Sequence, residues 1–537
     1  LFLAALYVLT DIWRFRRGWW LVTLFGQFAL TAYVARNAFT PALKAVVGRF
    51  IDGGIKASVF SEEGDCLDSA FVGYGTEYPA SGFHEQRPED WWNAVIASTR
   101  ALKVERSGIG AIGISGHSLG VIPLDASGHL LREKVPIWSD SRAGTEAEEF
   151  FARLGRTEEE WYLATRCGFP ARLYSVFKLM WFRKHEPDWF AKVDTVLGTK
   201  DYVNFRLTGE KATDNSYASG TGVYDLLNRR YSDELIAASG LAPSIFPRIV
   251  PSTQVIGTLL PSAADELGLP RTVQVVCGGV DNSCMALGAG AYAEGRAYNS
   301  LGSSSWIAVS SAKPVIDART RPYVFDHVVP GQYASALAIF SAGTSHAWLK
   351  DVLGLDYAQM DALAESAGPL AHGLFFNPTL AGGSSLDLTP EMRGGFANLD
   401  LRHTRADMVR AVMEGVAFGL RQALDGLREK VRVAEPLVLV GGGAKPPLWR
   451  QIYADVYGAG VVRSPVGQQC AALGAAALAA VGTGLWPDFS PVGRRASGGE
   501  LTSPDPSHDA AYAAAYVRYQ SLSRHLGAWA AGEVCRG

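Results

Sequence analysis

Asp281 stands just past an apolar run at 273–277 and the pair Gly278-Gly279, and Asn282 follows at once. The run is short and rich in β-branched residues, so it reads as a buried strand. Two glycines at its end let the backbone turn tightly or let another group come close. An Ala/Gly/Met-rich segment after Asn282 reads as a closely packed helix. Some twenty residues on, Leu301-Gly302-Ser303-Ser304-Ser305 forms a second small-residue turn. Its N–H groups and hydroxyls suit phosphate oxygens. A carboxylate to take a hydroxyl proton, beside a loop that holds an anionic donor, is the equipment of phosphoryl transfer. On this stretch alone, an ordinary strand–turn–helix with a capping Asp is an equal reading.

Those residues need αβ elements to position them, and the pattern supplies them from about residue 45. Residues 55–60 and 111–115 read as strands, and 121–124 as a strand closed by a turn at 125–128. Trp91, Trp92, Val95, Ile96 and Leu102 have helical spacing behind Pro88, which suits a helix start. An acidic helix runs through Phe151, and 152–250 is mainly helical and aromatic. The second half repeats the first in outline: strands near 298–310 and 333–340, an amphipathic helix over 405–431, a strand at 436–440 running into Gly441-Gly442-Gly443-Ala444, and a helix over 448–457. Residues 509–526 form a last helix. Glycine-rich strand ends therefore recur four times, near Gly53, Gly279, Gly302 and Gly443. Spread over both halves, they fit a nucleotide clamped between two similar domains.

At 537 residues the chain is too long for a single core. Its 48% hydrophobic and 19% charged residues are ordinary for a globular protein. The net charge of −3 leaves no footprint for nucleic acid or an anionic membrane. Six scattered cysteines form no C-x-x-C pair, which argues against a zinc site or disulfide framework and fits a reducing, cytoplasmic setting. The first 45 residues differ: an uncharged apolar run at 18–35 follows Arg14, Arg16 and Arg17. It imitates a signal peptide or anchor. We read it instead as upstream sequence behind a mis-set start, outside the fold.

Two motifs compete with the kinase reading. Gly108-Ile109-Gly110-Ala111-Ile112-Gly113 matches the dinucleotide fingerprint but enters a strand instead of leaving one. Gly116-His117-Ser118-Leu119-Gly120 matches the nucleophile elbow of α/β-hydrolases, with Ser118 as nucleophile. An elbow must open a helix, whereas the β-branched pair and Pro123 that follow read as strand. His117 and Ser118 still sit at a strand end, where polar groups can meet a ligand. Trp138, Asp140 and Arg142 offer stacking and hydrogen bonds to a polyol, or else a surface ion pair.

Together these segments resemble the FGGY carbohydrate kinases, from about Asp52 to about Trp486. The segment at 278–290 resembles the family's catalytic-aspartate segment. The segment at 174–185 resembles its helix signature with a central Lys-x-x-Trp, here Lys178 and Trp181. Counterparts also exist for EQRPEDWW, ISGHSLG, WSDSRA, TKDYVNFRLTG, LGSSS, SAGTS, EGVAFGLR and GGGAKPPLWRQ. The resemblance implies two actin-like (ribonuclease H-like) α/β domains with an interdomain cleft for ATP and sugar. Residues 46–293 would be the sugar-binding domain with the catalytic Asp, 294–490 the ATP-binding domain, and 491–537 an extension. Asp281 would be the general base and Asn282 would orient the substrate, with His117, Ser118, Trp138 and Asp140 as further sugar contacts. Asp52, Gly53, Gly302, Ser303 and Gly343 would hold phosphates, and Gly443 and Ala444 would lie along the adenosine. Mg²⁺ would be held mainly through phosphates and water, with Asp52 a weak contributor. The substrate would be a small ketose or polyol, xylulose first. A kinase for glycerol, erythritol or a hexulose is the alternative, as is a non-catalytic binder. Partners would be the sugar and ATP only, with neither nucleic acid nor membrane, and a homodimer is left open.

Two departures stand out. The loop Asp52-Gly53-Gly54-Ile55-Lys56 is shorter than the family's by about three residues and has no hydroxyl, which casts doubt on phosphate binding there and on activity. The sugar contact that reads Gln-Met-His-Gly in xylulokinase-like members reads His117-Ser118-Leu119-Gly120 here.

Overall fold

The computed structural model describes residues 53–168 and 170–532. The expectations for residues 1–45 and for Asp52 lie outside them. Described residues divide between two compact units. One contributes Gly53, Gly54 and Gly73–Thr76, where the Gly53 carbonyl accepts the Tyr74 N–H at 3.0 Å. The other holds 55–72 and everything described from Glu77 on. A hairpin of β1 (Gly54–Phe60) and β2 (Cys66–Gly73) comes first among the described residues.

In the first half, α1 (Pro88–Ala101) starts on Pro88 and buries Trp91 and Trp92. The strand expected over 111–115 is broken into β3 (Ala111–Ile112) and β4 (Ser115–Gly116). Then come β5 (Ile122–Leu124), α2 (Ser175–His185), β6 (Thr195–Leu197), α3 (Thr199–Thr208) and β7 (Ala212–Asp214). They are followed by β8 (Val255–Thr258), β9 (Gln274–Val276), β10 (Gly279–Val280) and α4 (Asp281–Gly288). β9 runs parallel to β3 and antiparallel to β8, while β10 runs parallel to β4. Both long strands therefore break at one level. The cause is Gly278, at φ 73°, where a Cβ would stand 2.1 Å from the Ile114 carbonyl oxygen. Only glycine fits that left-handed, backbone-on-backbone position.

The second half is built on one seven-stranded sheet. Its strands are β11 (Ala297–Leu301), β12 (Ser305–Ser311), β13 (Tyr323–Asp326) and β14 (Tyr333–Ile339), joined by three more below. α5 (Gly343–Leu353) follows β14, and α6 (Arg405–Arg428) crosses the core with Thr404 and Asp407 forming its capping box. β15 (Leu437–Val440), α7 (Pro447–Tyr457), β16 (Val461–Arg463), α8 (Cys470–Gly482), β17 (Glu500–Thr502) and α9 (Asp509–Ala530) complete the chain. Strand order is β13-β14-β12-β11-β15-β16-β17, with β11, β15 and β16 mutually parallel. The last helix joins this core through Tyr512, Tyr516 and Tyr519.

α4 and α8 touch backbone to backbone. A Cβ on Gly288 would stand 1.8 Å from the Cys470 carbonyl oxygen, and one on Gly474 would stand 1.9 Å from that of Cys284. α8 also passes under β3, where a Cβ on Gly113 would meet the Ala475 carbonyl oxygen at 2.1 Å. Among the described residues, no helix is long and apolar enough to cross a membrane.

Candidate active site

Asp281 is the first residue of α4, directly after β10. β10 and β4 pair Val280 with Gly116, so Asp281 and His117 are the next residues on two parallel neighbours. Asp281 is half-buried as a residue, and its carboxylate accepts the Asn282 N–H at 2.7 Å. Burial outweighs that bond and pushes its pKa up to about 6. Such a carboxylate is ionised at neutral pH, yet basic enough to take a proton from a hydroxyl in the transition state.

A buried polar chain fixes the backbone beneath it. The Val280 N–H donates to Ser216 Oγ at 2.9 Å, and Ser216 Oγ donates to Asp214 Oδ2. Asp214 Oδ1 pairs with Lys200 Nζ at 3.0 Å. Lys200 and Asn204 also donate to the Cys277 carbonyl, at 3.2 and 2.7 Å, where β9 leaves the sheet. Sequence reasoning assigned no role to any of these. Lys200, Asp201 and Asn204 are buried although α3 is largely polar in sequence, so no apolar pattern marked them.

The turn from His117 to Gly120 is held on every side. Thr199 Oγ1 donates to the His117 carbonyl at 2.7 Å, and the Gly120 N–H donates to Tyr217 Oη at 3.2 Å. His117 is held neutral, since burial pulls its pKa down to about 4. Ser118 is partly exposed, and Leu119 beside it takes φ 64°. β5 follows, so no helix opens here and Ser118 lacks the setting of a nucleophile elbow. Trp138 is 46% exposed. Asp140 is wholly buried, engaged by Arg142 at 2.7 Å and by the His84 N–H at 2.8 Å. The surface-pair alternative for Asp140 and Arg142 is thus overturned, since both side chains lie in the interior beside Glu85.

Three turns gather at one edge of the seven-stranded sheet, at the ends of β11, β14 and β15. Gly302 and Ser303 are exposed. The Gly302 carbonyl accepts the Gly343 N–H at 3.0 Å, and the Ser303 carbonyl accepts the Ala342 and Thr344 N–H groups at 2.9 and 3.1 Å. A Cβ on Gly343 would lie 2.5 Å from the Gly302 carbonyl oxygen. Gly441, at φ 95°, and Gly443 both abut Leu301, and Ala444 is buried just beyond. Gly302, Ser303, Gly343 and Gly443 are therefore one glycine-lined surface.

Tyr298, on β11, links the strand that feeds the Gly302 turn to Asn282, the residue after Asp281. Its hydroxyl donates to the Asn282 carbonyl at 2.9 Å and accepts the Trp306 indole N–H at 2.9 Å. No group of three or more His, Cys, Asp or Glu among the described residues is arranged to hold a metal ion.

A carboxylate with a pKa raised to about 6, followed by a residue that Tyr298 links to the strand leading into a glycine-lined turn cluster, supplies the parts of a phosphotransferase. Residues 52–288 match the N-terminal domain, and 297–483 the C-terminal domain, of the FGGY family of carbohydrate kinases. The xylulose kinase of Escherichia coli K12 is 32% identical over 435 residues, which span 80% of this chain and 88% of that one. The xylulose kinase of Staphylococcus xylosus is 30% identical over 432 residues, with the same shares. The crystal structure of xylulose kinase from Rhodospirillum rubrum aligns with a TM-score of 0.80 at 30% identity, covering 89% of this chain and 98% of that one. The chain belongs to the FGGY family of carbohydrate kinases and has its two-domain α/β fold. Its activity class is phosphoryl transfer to an alcohol group of a carbohydrate.

Proposed function

We propose that this enzyme transfers the γ-phosphoryl group of ATP to a hydroxyl of a small ketose, with D-xylulose the first candidate. The observation that carries the reading is Asp281: half-buried, raised to about 6, and one residue from the Tyr298 link to the strand that feeds the Gly302 turn. Asp281 takes the proton of the attacking hydroxyl as its oxygen bonds to the terminal phosphorus. The bond from that phosphorus to the bridging oxygen breaks, and ADP leaves. Asn282, His117, Ser118 and the Trp138 ring orient the sugar, while Asp140 acts from behind by fixing the Trp138 turn. Gly302, Ser303 and Gly343 face the donor phosphates, where any Cβ on Gly343 would collide with the Gly302 carbonyl. Gly443 and Ala444 line the nucleoside. Residues 46–293 serve the sugar and 294–490 the nucleotide, with 491–537 extending the second part. Mg²⁺ would offset phosphate charge and be held mostly through the phosphates and water, with Asp52 a weak contributor. The five described cysteines are all free thiols, in keeping with a cytoplasmic site of action.

The test is ADP release over a panel of D-xylulose, other ketoses, glycerol and erythritol. A ketose preferred by at least about tenfold in kcat/KM supports the reading. Preference for glycerol or erythritol would replace the substrate, and ATP binding without turnover on any acceptor would replace the kinase.

A further inference from the structure

Lys178 is fully buried in the middle of α2, between Phe177 and Leu179. Its Nζ donates to two backbone carbonyls, Leu119 at 3.0 Å and Ile137 at 2.7 Å. The carboxylate nearest in kind, Asp140, is already taken by Arg142. Both carbonyls belong to segments that carry sugar contacts: Ser118 precedes Leu119, and Trp138 follows Ile137. The Ile137 carbonyl also accepts the Asp140 N–H at 3.1 Å, which closes the Trp138 turn. Leu119 sits at φ 64°, a left-handed conformation that is strained for a non-glycine residue and persists only when its surroundings enforce it. Thr199 holds His117, Ser175 holds the Gly120 carbonyl, Tyr217 Oη accepts both the Gly120 and Thr199 N–H groups, and the Val121 N–H reaches the Pro136 carbonyl at 3.4 Å. Lys178 bridges two segments. Three residues on, Trp181 packs edge-on against Phe83 at 5.6 Å, beneath the Arg142 guanidinium. The Lys-x-x-Trp spacing thus puts both side chains against the sugar end.

We infer that Lys178 is a positioning residue that sets the distance between the His117–Ser118 turn and Trp138, and so the width of the acceptor pocket. This rests on the kinase reading above. A side chain without donors would let Leu119 relax and the turn move, loosening the acceptor while leaving the nucleotide edge untouched.

The experiment compares the full chain with Lys178→Met and Lys178→Gln. Methionine keeps the volume without donors; glutamine keeps two N–H groups on a shorter stem. The expected result for Lys178→Met is an acceptor KM raised about tenfold or more, with the ATP KM within about twofold and kcat changed less than KM. Lys178→Gln should fall between. Acceptor KM within about twofold of wild type in both variants, with only the melting temperature lowered, would overturn the inference and leave Lys178 a structural residue. If Lys178→Met does not fold, the glutamine variant decides by the same measure. Calorimetric acceptor binding in an Asp281→Asn background separates the two claims. Equal affinity with and without Lys178→Met would defeat the clamp, whereas acceptor binding without transfer by the wild type would defeat the kinase reading.

Discussion

Asp281 owes its proton affinity to burial, which outweighs the backbone N–H groups its carboxylate accepts at the first turn of α4. With the folded pKa at about 6, the base is ionised above that pH and protonated below it. Since only the ionised form accepts the hydroxyl proton, kcat/KM should be level above neutrality and fall about tenfold per pH unit below about 6. A profile that stays flat well below 6 would mean that another group takes the proton. Asp281, Asn282 and Gly302 were legible because polar and glycine residues interrupt apolar runs there. Asp140 was half legible: its motif shows in the sequence, but its burial against Arg142 and Glu85 depends on partners over fifty residues away. Lys178 was visible as a charge in an apolar helix, yet its two carbonyl partners belong to turns whose path no local pattern predicts.

At the scale of elements, most strands and helices around the site stand where the pattern predicts them. α4 after β10, the strand running into Gly441, and α6 and α7 all follow from periodicity and glycine punctuation. The departures have a common cause. Residues 111–115 read as one unbroken strand and 273–277 as a strand ending at Gly278-Gly279; instead the first is kinked where Ile114 meets Gly278, a contact between segments far apart in sequence, and the second resumes beyond it as β10. α8 went unassigned because its Ala, Gly and Leu residues show no polar face from which to read a period. Its glycines matter instead as gaps for the α4 backbone. Gly474→Ala would place a methyl 1.9 Å from the Cys284 carbonyl oxygen, an overlap that only movement of a helix relieves. The expected loss is roughly 2 kcal/mol or more, read as a lower urea midpoint. An unchanged midpoint would show that α4 and α8 are not locked together as described.

Across the whole molecule, the recurrence of glycine-ended strands in both halves pointed to two domains of one kind, and both halves match their FGGY counterparts. Order along the chain did not reveal that α8, late in the sequence, packs beneath the first-half strand β3 and along α4. Nor did it reveal that a single tyrosine, Tyr298, ties the carboxylate's neighbour to the strand that feeds the Gly302 turn. The account comes down to proton removal by Asp281 during phosphoryl transfer. The most direct measurement is transfer of labelled γ-phosphate from ATP to the preferred acceptor by Asp281→Asn and by wild type at neutral pH, with binding of both ligands followed in parallel. The account predicts a loss of about a thousandfold with both ligands still bound; transfer within about tenfold of wild type would contradict it.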